Sequence, residues 1–110
     1  MDEPVDLAAL AGSGPVWGIA SEDLNATLLE WGQGEGVAEQ VNEERDILLV
    51  VLAGVGTLRA GGADRELGPQ HAAVIPKGER WSIAAGVGGL RYLSIHRRRD
   101  GLSIAPRRRS

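Results

Sequence analysis

The chain has 110 residues, no cysteine and a formal net charge of −3. One domain of this length buries a core unaided, and the missing cysteines exclude a disulfide scaffold, a zinc–thiolate site, an iron–sulfur cluster and a cysteine nucleophile. No apolar run approaches the roughly 20 residues of a membrane-spanning helix, and the acidic start MDEPVDLAAL is unlike a signal peptide, so a cytoplasmic protein with no membrane contact is expected.

The charge is uneven. Residues 1–96 carry 14 acids against 6 bases, net −8, whereas residues 97–110 carry six arginines against Asp100, net +5. An acidic body disfavours phosphate backbones and anionic lipid. The aromatics are confined to Trp17, Trp31, Trp81 and Tyr92, too few for a base-stacking platform, so nucleic acid is not an expected partner. The basic segment reads as a solvated terminus, with docking on an acidic partner as the alternative.

Residues 1–14 read as a loose N-terminal segment with at most one helical turn over Asp6–Leu10. Strands are predicted over Val16–Ala20 and Ala26–Trp31, separated by the turn-prone Ser21–Asn25. Gly32, Gly34 and Gly36 form a turn that lacks the Lys-Ser/Thr of a phosphate loop. Val37–Asn42 alternates weakly, and Glu43–Asp46 is a charged turn. Ile47–Leu52 is six consecutive apolar residues, which places Ile47, Leu49 and Val51 on one face of a strand and Leu48, Val50 and Leu52 on the other. Such a strand needs a barrel interior on one side and a second sheet or subunit on the other, a hint of a homodimer.

Ala53-Gly54 then reads as a turn, Val55–Ala60 as a strand and Gly61–Asp64 as a hairpin loop. Arg65–Leu67, His71–Ile75, Arg80–Ala84 and Leu90–His96 follow as strands, divided by turns at Gly68-Pro69-Gln70, Pro76-Lys77-Gly78 and Gly86–Gly89. Short strands at regular spacing with almost no helix predict an all-β sandwich or barrel.

These landmarks over residues 26–96 resemble a small single-domain cupin. The family's first motif, Gly, five residues, His-x-His, four residues, Glu, six residues, Gly, has its frame in Gly34, Gln40-Val41-Asn42, Ile47 and Gly54. The second, Gly, five residues, Pro-x-Gly-x-x-His, is echoed by Gln70, Pro76-Lys77-Gly78 and Trp81. The resemblance implies a double-stranded β-helix, or jelly-roll, barrel over residues 15–96 with a basic tail at 97–110. It also implies that the family's four metal-ligand positions are here Gln40, Asn42, Ile47 and Trp81. Two of these offer only weak amide oxygens and two offer no usable ligand, so no metal site, no cofactor and no metal-borne chemistry are expected.

In that register Gln40, Asn42 and Trp81 converge on one cavity with Ile47 and Trp31, and two readings stay open. The residues line a pocket for a neutral or weakly polar small molecule, or they fill a closed core with Gln40 bonded to Asn42. No catalytic residue is assigned: the serines lack a nucleophile-elbow setting, and His71 and His96 stand alone. The favoured function is a metal-free binding or sensing protein. The alternatives are a metal-dependent oxygenase or isomerase using the carboxylates of Glu35, Glu39, Glu43, Glu44 and Asp46 with His71, and an interaction protein acting through the arginine-rich tail.

Overall fold

The computed structural model describes residues 3–98; Arg99, Arg107, Arg108 and Arg109 of the basic tail lie outside the described residues. A 3-10 turn at Leu7–Ala9, capped by Asp6 whose Oδ1 accepts from the Ala8 N–H at 3.1 Å, precedes seven antiparallel strands. They are β1 (Gly14–Ala20), β2 (Leu24–Trp31), β3 (Gly36–Val41), β4 (Ile47–Ala60), β5 (Ala63–Leu67), β6 (Ala72–Ile75) and β7 (Arg80–Arg97). The all-β prediction holds. No helix among the described residues is long and apolar enough to cross a membrane.

Two long strands organise the fold, because each belongs to two sheets. The first half of β4 pairs with β6, from Ile47 opposite Ile75 to Val50 opposite Ala72, and with the end of β7, from Leu48 opposite Ile95 to Gly54 opposite Leu90. Its second half pairs with β5 and with the start of β7, from Gly56 opposite Ala85 to Ala60 opposite Trp81. β7 likewise meets β2 along Leu90–Arg97 and β3 along Arg80–Ala84. One sheet is therefore β1-β2-β7-β4-β6 and the other β3-β7-β4-β5, folded face to face as in a jelly roll.

Local sequence predicts turns at Ala53-Gly54 and at Gly86–Gly89, and the structure corrects both. Neither interrupts its strand. Pairing with β7 jumps from Gly54 opposite Leu90 to Gly56 opposite Ala85, so residues 86–89 leave the β4 ladder while β7 continues. Val87, inside that excursion, is 77% exposed. A second shift between Val51 and Ala53 bends β4 just before it. Gly54 sits at φ 83°, and a Cβ there would collide with the Gly89 carbonyl oxygen. Only glycine supplies both the left-handed backbone and the missing methyl.

The core fills the space between the sheets. Ile47, Leu49 and Val51 point inward from β4, meeting Leu90 and Tyr92 of β7 and, across the gap, Leu58, Trp81 and Ile83. Each fully buried aliphatic side chain contributes about 2 kcal/mol. The outward side of the same strand behaves differently: Leu48 and Leu52 are each 37% exposed, and Val74, opposite Leu48 on β6, is 61% exposed. The N-terminal segment lies against the β2 and β7 part of this face, at Leu93, but leaves Leu48, Leu52 and Val74 uncovered among the described residues.

Gln70 stands where the second motif has glycine, and it retains the left-handed backbone, at φ 68°. Its N–H donates to the Val51 carbonyl at 2.9 Å, which holds it there. Two outcomes are expected from equilibrium urea unfolding. Gly54→Ala should lose about 3 kcal/mol or more, because a strained φ and a backbone collision add. Gln70→Gly should gain about 1 kcal/mol by relieving the left-handed strain, and a loss would show that the Gln70 side chain holds the turn.

Candidate functional site

β7 carries side chains from both sheets into one space. Tyr92, Ser94 and His96 alternate on its inward face, and Thr27 and Leu29 of β2 lie opposite Ser94 and Tyr92. Trp81, at the other end of β7, lies opposite Gln40 of β3. With Val37, Ile47 and the turn from Asn42 to Arg45 they enclose an open cleft of about 560 Å³ at one end of the barrel.

Four of the five residues predicted to meet, Gln40, Asn42, Ile47 and Trp81, lie on this cleft. Trp31 does not. Its indole Nε1 donates to the Tyr92 hydroxyl at 3.1 Å, so it reaches the site only through Tyr92. The closed-core reading also needs correcting. Asn42 Oδ1 does not serve Gln40 but accepts from the backbone N–H groups of Glu44 at 3.0 Å and Arg45 at 3.1 Å. Its own carbonyl accepts from Gly78 at 2.7 Å. Asn42 is thus the residue that shapes the turn, a role its short side chain suits.

That turn brings in Arg45, which the sequence places in a charged turn. The structure covers most of it instead: its side chain is only 12% exposed, and its Nε is sealed from solvent with no hydrogen-bond partner. Trp81 Nε1 is in the same state. An unpaired buried N–H costs roughly 1–3 kcal/mol. Burial raises the Tyr92 hydroxyl above its ordinary pKa of 10.0, with the Trp31 hydrogen bond opposing, so Tyr92 stays protonated at neutral pH. His96 turns its nitrogens elsewhere: Nδ1 donates to the Arg97 carbonyl at 3.0 Å, which leaves Nε2 facing the Asn25 amide at 3.4 Å. The alternation of Tyr92, Ser94 and His96 is the signal in the sequence that could have placed them on one wall.

The donor chemistry of the four family positions does not fit a divalent transition ion. The Asn42 oxygen is engaged by two backbone N–H groups, Ile47 has no donor atom, and the Trp81 nitrogen bears a proton. The other metal scheme is not assembled either. His71 Nδ1 accepts from the Gly68 N–H at 2.9 Å, beside Val55 and Glu66 rather than on this cleft. Glu35 accepts from the Gly32 N–H at 2.9 Å, Asp46 accepts from the Lys77 N–H at 2.9 Å and Glu39 is exposed on β3, so of the five carboxylates Glu43 and Glu44 line the cleft. Among the described residues no three His, Cys, Asp or Glu side chains gather as a metal site.

No family model and no curated protein matches the sequence. Solved structures do. Protein TT1209 from Thermus thermophilus is 24% identical, with a TM-score of 0.76 over 87% of this chain and 97% of its own. KdgF from a Halomonas species is 23% identical, with a TM-score of 0.72 over 79% and 82%. The cupin domain of Cnp3 from Schizosaccharomyces pombe is 15% identical, with a TM-score of 0.69 over 76% of this chain and 63% of its own. The chain is a small domain of the cupin fold.

The turn and the hydroxyl each carry an expected outcome. Asn42→Ala should cost about 1 kcal/mol in urea unfolding, while Asn42→Asp, which keeps the accepting oxygen, should cost less than half of that. Stability should fall as pH rises through 10.0, where the unfolded chain's tyrosine ionises before the buried Tyr92 does. Tyr92→Phe should remove that alkaline dependence, and its persistence would trace the loss to other groups.

Proposed function

We propose that this protein is a metal-free, non-enzymatic cupin that binds or senses a small molecule in the cleft at the mouth of its barrel. One observation carries the reading: the space where the fold family gathers metal ligands is here an open cleft of about 560 Å³, walled by an indole, an amide and apolar side chains, with Glu43, Glu44 and Arg45 along its turn. A volume of that order suits a small ligand, which the aromatic face and few polar groups would orient. Gln40 lies at the exposed side, Ile47 and Trp81 at the buried side, and Tyr92 between the two sheets.

A second proposal concerns assembly. The exposed outward face of Leu48, Leu52 and Val74, next to Ile95 on β7, supports a homodimer through this sheet. Burying such a patch against a second copy removes apolar area from water on both sides.

Metal content and stability test the function. Protein purified without a histidine tag, then incubated with Mn, Fe, Ni or Zn and desalted, should retain only traces by elemental mass spectrometry, and a chelator should leave its melting temperature unchanged. Near-stoichiometric retention of one metal would overturn the reading. Trp81→Ala should enlarge the cleft and cost about 3 kcal/mol. Light scattering across a dilution series should give a dimer mass that Leu48→Lys converts to a monomer; a monomer at every concentration would remove the assembly proposal.

A further inference from the structure

Resting on that ligand-binding reading, we infer that the cleft captures its ligand by a carboxylate, so that the ligand is a small organic acid anchored by Arg45, Trp81 and Tyr92. Among the described residues, the buried side-chain polar atoms left without a partner are Arg45 Nε and Trp81 Nε1, and both belong to the wall of this one cleft. Folded proteins pair nearly all such groups, so two on one wall mark an acceptor that the chain does not itself provide. Both are N–H groups, and neither can accept.

Tyr92 adds a third donor. Its oxygen receives the Trp31 N–H at 3.1 Å, and its own proton has no acceptor among the described residues. The other polar groups do not redress the balance. Asn42 Oδ1 is engaged by its turn, and both nitrogens of His96 face Asn25 and the Arg97 carbonyl. Gln40, Thr27 and Ser94 can each donate or accept and so adapt to what arrives. The sealed part of the wall therefore presents only donors, which an acceptor-rich group would satisfy, while the carboxylates of Glu43 and Glu44 stand on the exposed turn.

Arg45 sets the charge of that group. Its ion pair is with Glu44, at 3.9 Å and 62% exposed, a long contact that solvent screens. With its Nε sealed and lacking an acceptor, the guanidinium would gain a charge-assisted hydrogen bond from an anion beside it. Glu43 and Glu44 also line the cleft, and they select against a doubly charged phosphate more than against a singly charged carboxylate. Leu29, Val37, Ile47 and the indole face accommodate an apolar or aromatic body behind the carboxylate. Since both nitrogens are sealed in the free protein, binding involves a tilt of the Arg45 and Trp81 side chains toward the ligand.

Benzoate, its neutral counterpart benzamide, and inorganic phosphate test this by titration into the ¹⁵N-labelled full chain. The readout is the indole N–H resonance of Trp81, identified by its loss in Trp81→Phe. Benzoate should move that resonance downfield and saturate, with benzamide binding about tenfold more weakly or worse. Arg45→Met should bring benzoate down to the benzamide level, and Arg45→Lys, which keeps charge without an Nε–H, should restore only part. Equal binding of benzoate and benzamide, unaffected by Arg45→Met, would overturn the carboxylate assignment and leave the ligand-binding reading standing. Tighter binding of phosphate than benzoate would overturn it in favour of a phosphorylated ligand. Silence of every cleft resonance toward all three probes would overturn it together with the binding reading, whereas equal binding of benzoate and benzamide overturns the carboxylate assignment alone. If Arg45→Met does not fold, the benzoate and benzamide comparison on the unaltered chain decides alone.

Discussion

The close approach of β4 and β7 at Gly54 and Gly89 is the constraint from which the rest of the molecule follows. Two strands of 14 and 18 residues are too long to serve one small sheet, and the bulges between Val51 and Gly56 let both cross from one sheet to the other without losing their pairing. That crossing brings the sheets face to face and encloses Ile47, Leu49 and Val51 between them. It also puts Trp81 and Tyr92, members of a single strand, on the wall of the same cleft. The site is a by-product of how the backbone turns its corner, since no hairpin of independent strands would bring those two rings together.

Much of this was legible from local pattern. Apolar alternation located the strands, and the run Ile47–Leu52 named the inner face of β4 because side chains on a strand alternate without regard to what they meet. The two misplaced turns share one cause. A glycine with positive φ serves a tight turn and a bulge equally well, and the choice between them lies in long-range pairing that local sequence does not contain. The cavity was legible in part for a similar reason. Gln40, Ile47 and Trp81 follow from the motif spacing, whereas Trp31 has the right parity but is drawn to Tyr92, and a hydrogen bond between neighbouring strands is not written in spacing. Arg45 was hidden by its neighbours. Glu43-Glu44-Arg45-Asp46 reads as solvent-facing, and only the Asn42 side chain, by drawing in the Glu44 and Arg45 backbone, turns the guanidinium inward.

The interior polar groups fall into two kinds with different consequences. Trp31 with Tyr92, and Asn25 with His96, are paired within the protein and hold the end of β7 against β2. Arg45 and Trp81 retain sealed, unpaired N–H groups on the cleft. The two kinds lie along one wall: the first pairs contribute to the stability of the free protein, and the second leave N–H groups for which the chain supplies no acceptor.

The Asn42 turn has a bearing on whether the fold family's ligand set could be written into this barrel. Writing histidines and a glutamate into the four family positions restores the coordination sphere on paper. Yet replacing Asn42 removes the oxygen that holds the Glu44 and Arg45 backbone, so the loop that frames the sphere would come undone as the ligand was installed. Any incoming dication would also meet the Arg45 guanidinium on the wall, opposed by the carboxylates of Glu43 and Glu44. Retrofitting is therefore a redesign of the loop and its charge, and ligand grafting alone would yield a less stable barrel with little appetite for metal.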